Sequence, residues 1–134
     1  MKGRLKKTYI IVFCIYLSAV GVLCFMNPSD IPEIGLQTFL GIPIDKILHF
    51  LMFLPYPILA GLSFMNGRIG LVRNLIILTA IIITGIGVSY GTEVIQSHTE
   101  YRSYEINDFY ADLTGIATGS LLTAAYITYT TLKK

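Results

Sequence analysis

Charged residues are excluded from four stretches of this chain, Thr8 to Met26, Ile47 to Met65, Asn74 to Thr92 and Leu113 to Leu132, each 19 or 20 residues long. A helix rises about 1.5 Å per residue, so a run of about 20 crosses the roughly 30 Å of hydrocarbon in a bilayer. Open strands would leave backbone N–H and C=O groups unsatisfied in lipid, so each run reads as a transmembrane helix. His49 is the only ionisable side chain inside the runs apart from tyrosine and cysteine. With 13% charged residues the chain also lies well below the roughly 25% of soluble domains. The expectation is an all-α membrane protein of four transmembrane helices, at roughly residues 8–26, 45–65, 74–97 and 108–132, forming a single domain over 1–134.

Basic residues precede the first run, as in a signal peptide. The run is longer than the roughly 7–15 apolar residues of such peptides, and Met26-Asn27-Pro28 is a poor small-residue cleavage site. It is therefore read as a helix. Cys14 and Cys24 both fall in it, about 15 Å apart along the axis, too far to bridge.

Charge sets the orientation. Lys2, Arg4, Lys6, Lys7, Arg68, Arg73, Lys133 and Lys134, eight of the ten basic residues, fall on one side of a four-span layout. The positive-inside rule makes that side cytoplasmic and places both termini there, in a multi-pass protein of the cell membrane. The outer side receives all eight acids, Asp30, Glu33, Asp45, Glu93, Glu100, Glu105, Asp108 and Asp112, with Lys46 and Arg102 as its cations.

Pro28 ends the first helix, and Pro55-Tyr56-Pro57 predicts a kink in the second. The link Ser29 to Ile44, rich in Ile, Leu and Phe, is expected to lie on the membrane surface. Gly87 with Gly91, and Gly115 with Gly119, form small-xxx-small pairs that suit close helix packing. Tyr90, Tyr101, Tyr104 and Tyr110 mark the outer boundary, and Tyr9 and Tyr129 the inner one.

The polar residues of the spans concentrate at one depth. Asp45, Lys46, His49, Glu93, Gln96, Arg102, Asp108 and Asp112 all fall at the outer headgroup region or one turn below it. Glu93 and Gln96 share a helical face with Ser89, and Asp108, Asp112, Gly115 and Gly119 share another. Asp45 and Asp108 have a plainer reading as carboxylates at helix starts, favoured by the dipole. His49 has one as a structural contact. Asp112 sits a turn inside its helix, where a charge facing lipid is costly.

The order Asp45-Lys46, His49-Phe50, Glu93-x-x-Gln96, Arg102, Asp108, then Gly115 and Gly119 resembles the VanZ-like family of small bacterial membrane proteins. The resemblance covers the last three spans. It implies a multi-pass membrane protein with a cell-envelope role, since the family's namesake is associated with resistance to teicoplanin. One position departs from the pattern: Asp112 stands where the family usually has Asn.

Two functions fit these residues. In the first, the protein binds a lipid-linked or amphiphilic envelope ligand at the outer leaflet, with Lys46 and Arg102 holding a phosphate or carboxylate and the acids orienting them. In the second, it is an intramembrane enzyme acting on such a headgroup, with the carboxylates and His49 holding a divalent cation. There is no H-E-x-x-H, G-x-S-x-G or P-loop pattern. Catalytic residues, a metal and an oligomeric state are not assigned, and no cofactor is expected under the first reading. Membrane lipids are the expected partners, and nucleic acid is not.

Overall fold

The computed structural model describes residues 2–30, 35 and 37–133. Helix α1 spans Lys2–Phe25, α2 Ile44–Phe53, α3 Pro55–Phe64, α4 Leu71–Ser97 and α5 Ile106–Leu132. The helices form four legs, α2 and α3 together making the second. Contacts set their directions. Tyr16 of α1 reaches Met52 of α2, and Phe13 stacks edge-on against Tyr56 of α3, so the first two legs are antiparallel. Lys46 and His49 of α2 meet Asp108 and Asp112 of α5, so those two helices run parallel. One end of the bundle therefore gathers the starts of α2 and α5 and the end of α4. The other gathers the start of α1, the end of α3 and the start of α4. These are called below the acidic and basic ends.

Among the described residues, three legs are long and apolar enough to cross a membrane: Gly3–Phe25, Ile44–Phe64 and Leu71–Ser97. Helix α5 has 27 residues, about 40 Å, but it opens with acids and carries many threonines and tyrosines, so it does not join them. Apolar side chains face outward on every long helix, including Ile11, Ile15 and Val22 on α1, Ile76 and Ile83 on α4, and Leu121 and Leu122 on α5. An outward face of this kind suits hydrocarbon. The buried core, Phe13, Tyr56, Ala60, Met65, Leu78, Ile81 and Ile127, joins α1, α3, α4 and α5 away from the acidic end.

The second leg is interrupted as its prolines require. α2 ends at Phe53, and α3 restarts at Pro55 after the single residue Leu54. Proline nitrogens at 55 and 57 donate no ladder bond. Beside this junction the Met52 carbonyl accepts the Tyr16 hydroxyl at 2.5 Å. The junction's backbone rests on α5. A Cβ at Gly115 would fall 2.5 Å from the Phe50 carbonyl oxygen, and one at Gly119 would collide with the Leu54 carbonyl and the Pro57 ring. The second small-residue pair therefore packs against the α2–α3 junction. The first does not: a Cβ at Gly87 or Gly91 would meet nothing within 4 Å. Gly85, on another face of α4, makes the close approach instead, 3.0 Å from the Tyr56 ring.

The link before α2 contains a feature absent from an all-helical reading. Thr38–Phe39 and Ile42–Pro43, β1 and β2, pair antiparallel around Leu40-Gly41. Both turn residues have positive φ, 52° and 79°, the conformation of a tight hairpin turn. Leu40 is 87% exposed at its tip. Ile31, Pro32, Glu33, Ile34 and Leu36, part of the segment expected on the membrane surface, lie outside the described residues. At the basic end the α3–α4 turn is closed by Asn74, whose side-chain amide exchanges two hydrogen bonds with the backbone of Asn66, at 3.0 and 2.8 Å.

Candidate functional site

The close packing of the α2–α3 junction on Gly115 and Gly119 sets the register of α2 against α5, and that register brings His49 opposite Asp112. His49 Nδ1 lies 2.9 Å from Asp112 Oδ1. From α4, Ser89 donates its hydroxyl hydrogen to Asp112 Oδ2 at 2.8 Å. One turn later Glu93 enters the same space, with Oε1 3.8 Å from His49 Nδ1. Asp112 and Glu93 are 0% and 1% exposed. Glu93 Oε1 is fully buried and has no hydrogen-bond partner among the described residues. Gln96, one turn beyond Glu93, is buried on the same face. This is the inner layer of the site.

An outer layer surrounds the Lys46 ammonium. Its nitrogen pairs with Asp45 at 2.8 Å, with Glu105 at 2.9 Å and with Asp108. Asp45 and Glu105 are about half exposed, whereas Lys46 and Asp108 are largely covered. Asp108 joins the layers, because its second oxygen lies 3.5 Å from His49 Nε2. The imidazole thus stands between one carboxylate on Nε2 and two on Nδ1. Asp45 and Asp108 do sit in the first turns of their helices, as helix-start charges would, but neither caps: Pro43 and Glu105 occupy the N-cap positions without a side-chain bond.

Counted together, five carboxylates, Asp45, Glu93, Glu105, Asp108 and Asp112, face one lysine and one histidine. With a neutral imidazole the formal charge is −5 + 1 = −4. Carboxylates shielded from water require protons, hydrogen-bond donors or cations in proportion. The site is therefore rich in acceptors, and its own ammonium is already surrounded by acids.

All eight polar residues singled out in the sequence lie at this end, seven of them within one connected or adjoining set from which Arg102 stands apart. It is partly buried in the α4–α5 link and forms no ion pair among the described residues. The cation among the carboxylates is Lys46, not Arg102. Glu105 belongs to the site as well. Its place beside Arg102 in a polar link carried no sign that it would reach Lys46. Asp112 is at the centre of the inner layer.

The profile of the family described as VanZ/LLP1 matches residues 9–128, nearly the whole chain and every residue of the site. No curated protein and no solved structure matches.

Proposed function

The chain belongs to the VanZ/LLP1 family and is a membrane protein of that family, and from that premise we propose that it crosses the cell membrane four times and binds the headgroup of an amphiphilic or lipid-linked envelope ligand at its acidic end. The fourth crossing is α5. Its outward face carries Leu121 and Leu122, and its length matches that of α4. Both termini then share the basic end, which the positive-inside rule assigns to the cytoplasm.

One observation carries the ligand reading: a continuous polar path runs from half-exposed Asp45 and Glu105, through Asp108, to fully buried Asp112. Bundle stability gains little from burying acids among apolar helices, whereas a site that hydrogen-bonds hydroxyl, amide or ammonium groups needs such acceptors. Arg102, without a carboxylate partner among the described residues, lies in the link between the end of α4 and the start of α5, at the same end, to take an anionic group such as a phosphate. Lys46 serves this role less well, since three acids already hold it. A contribution to teicoplanin-type resistance is the physiological form such binding takes in this proposal.

The test is native mass spectrometry of protein extracted in mild detergent and titrated with a short polyprenyl diphosphate or with phosphatidylglycerol. Saturable binding of one probe, weakened by Arg102→Ala and not restored by Arg102→Lys, is the expected result, because an ammonium lacks the planar fork of a guanidinium. Equal binding by wild type and Arg102→Ala would remove Arg102 from the site. Absence of saturable binding by either probe would sink the proposal.

A further inference from the structure

We infer that His49, Glu93 and Asp112 form a binding site for one divalent transition-metal cation of the zinc or manganese class, at the floor of the acidic end. The inference rests on the proposed ligand site in sharing its location, and it adds what the floor of that site contains.

Three observations converge. Each of the three residues offers one ligand atom, and these atoms lie within 4.8 Å of one another on buried side chains contributed by α2, α4 and α5. Glu93 Oε1 points into the group with no hydrogen-bond partner among the described residues, although Glu93 is only 1% exposed. A carboxylate oxygen in that position lacks a donor or a cation. Finally, the charges match. Two carboxylates and a neutral imidazole carry −2, which one divalent ion cancels, whereas protonating the imidazole leaves −1 in the same apolar surroundings.

The surrounding groups are those that a metal site uses to orient its ligands. Asp108 lies 3.5 Å from His49 Nε2, on the ring nitrogen remote from Glu93 and Asp112. With a metal at Nδ1 in place of the proton that His49 shares with Asp112, the remaining ring proton would sit on Nε2, on the side of this carboxylate. Ser89 holds the second oxygen of Asp112, leaving Oδ1 directed at the imidazole. Phe53 and Ile116, each one helical turn further along from His49 and Asp112, are fully buried.

The donor set selects among cations. Magnesium and calcium favour sites made of oxygen alone, and magnesium keeps several waters. One imidazole with two carboxylates suits zinc, manganese or iron. With three protein ligands a cation retains open positions. Through them it can take a phosphate or carboxylate oxygen of a headgroup, which an acid-rich site without a cation would repel.

The experiment uses full-length protein in detergent, stripped with a chelator, dialysed and titrated with Zn²⁺ and Mn²⁺, with metal content read by mass spectrometry. About one equivalent is expected, bound more tightly than Mg²⁺ or Ca²⁺. Glu93→Gln should abolish this binding, Ser89→Ala should weaken it by about tenfold, and Glu100→Gln, in the exposed α4–α5 link, should leave it unchanged. No saturable binding by folded wild-type protein overturns the inference, as does binding that Glu93→Gln and Asp112→Asn both leave intact. X-ray absorption on the wild-type zinc form needs no variant to fold. A shell of one imidazole nitrogen with carboxylate oxygens supports the site, and a shell without imidazole overturns it. Retained probe-lipid binding together with no saturable metal binding would overturn the metal and leave the headgroup proposal standing. Metal binding without lipid binding would do the reverse.

Discussion

His49 Nδ1 and Asp112 Oδ1 are 2.9 Å apart, a contact between two helices that start together at the acidic end and run parallel from it. The contact is buried and supported from a third helix by Ser89. Replacing Asp112 by leucine would leave both His49 and Ser89 without their partner. Asp112→Leu should therefore destabilise the protein by about 3 kcal/mol, the scale of breaking a buried polar network from one side. Asp112→Asn keeps an acceptor for one of the two and should cost about 1 kcal/mol or less. Thermal unfolding in detergent measures both, and equal melting points for wild type and Asp112→Leu would show that the contact contributes nothing.

Lys46 holds three carboxylates, so its loss should matter more than the loss of any one exposed partner. Lys46→Met leaves Asp108 covered and without its cation, and destabilisation by about 2–3 kcal/mol is expected. Glu105→Gln removes a partner that is half exposed and should change stability by no more than about 1 kcal/mol. Adding Asp108→Asn to Lys46→Met should restore part of the loss. If the double variant is as unstable as the sum of its single variants, the two residues are not coupled.

The glycines divide into two classes by what surrounds them. Gly119→Ala must push against the Leu54 carbonyl and Pro57, so it should destabilise by about 1–3 kcal/mol and disturb the register of His49 on Asp112. Gly87→Ala meets open space in the middle of a helix and should be neutral, or stabilising by up to about 1 kcal/mol. Chemical or thermal melts of the two variants side by side suffice. A harmless Gly119→Ala would mean that the α2–α5 contact is looser than the structure has it.

Four crossings with cytoplasmic termini require Ser29 and Ser103 on one side and Asn66 on the other. Single-cysteine variants at these positions, in a background lacking Cys14 and Cys24, should react with a membrane-impermeant maleimide from outside at 29 and 103 only. Outside labelling at 66, or inside labelling alone at 29 and 103, would reverse or break the topology. A chain with three crossings would place residue 133 outside, so labelling of Lys133→Cys in intact cells distinguishes three from four.

Helix existence, approximate length and the end of the bundle at which the polar residues gather were legible in the sequence, because they depend on one-dimensional quantities: where charges are excluded and how far about 1.5 Å per residue reaches. The break at Leu54 was legible for the same reason, since proline lacks its donor wherever the helix goes. Rotation about a helix axis is a different matter. Gly85 and Gly87 are two residues apart, about 200° around the helix, and only packing against Tyr56 decided which one is a contact. The same holds for the cation. As the one base in a link otherwise holding Glu100 and Glu105, Arg102 was expected to be the central cation, but Lys46 rises from a helix pressed onto α5 beside Asp108, whereas Arg102 leaves from a link whose path no periodicity sets. The hairpin at Leu40-Gly41 also escaped, because a leucine at φ 52° carries no local turn signal and is stabilised only by the strands it joins. Which polar residues share an end of the bundle was thus decided by the sequence and which of them touch by the tertiary structure, because position along a helix follows from counting while contact requires fixing how each helix turns against its neighbours.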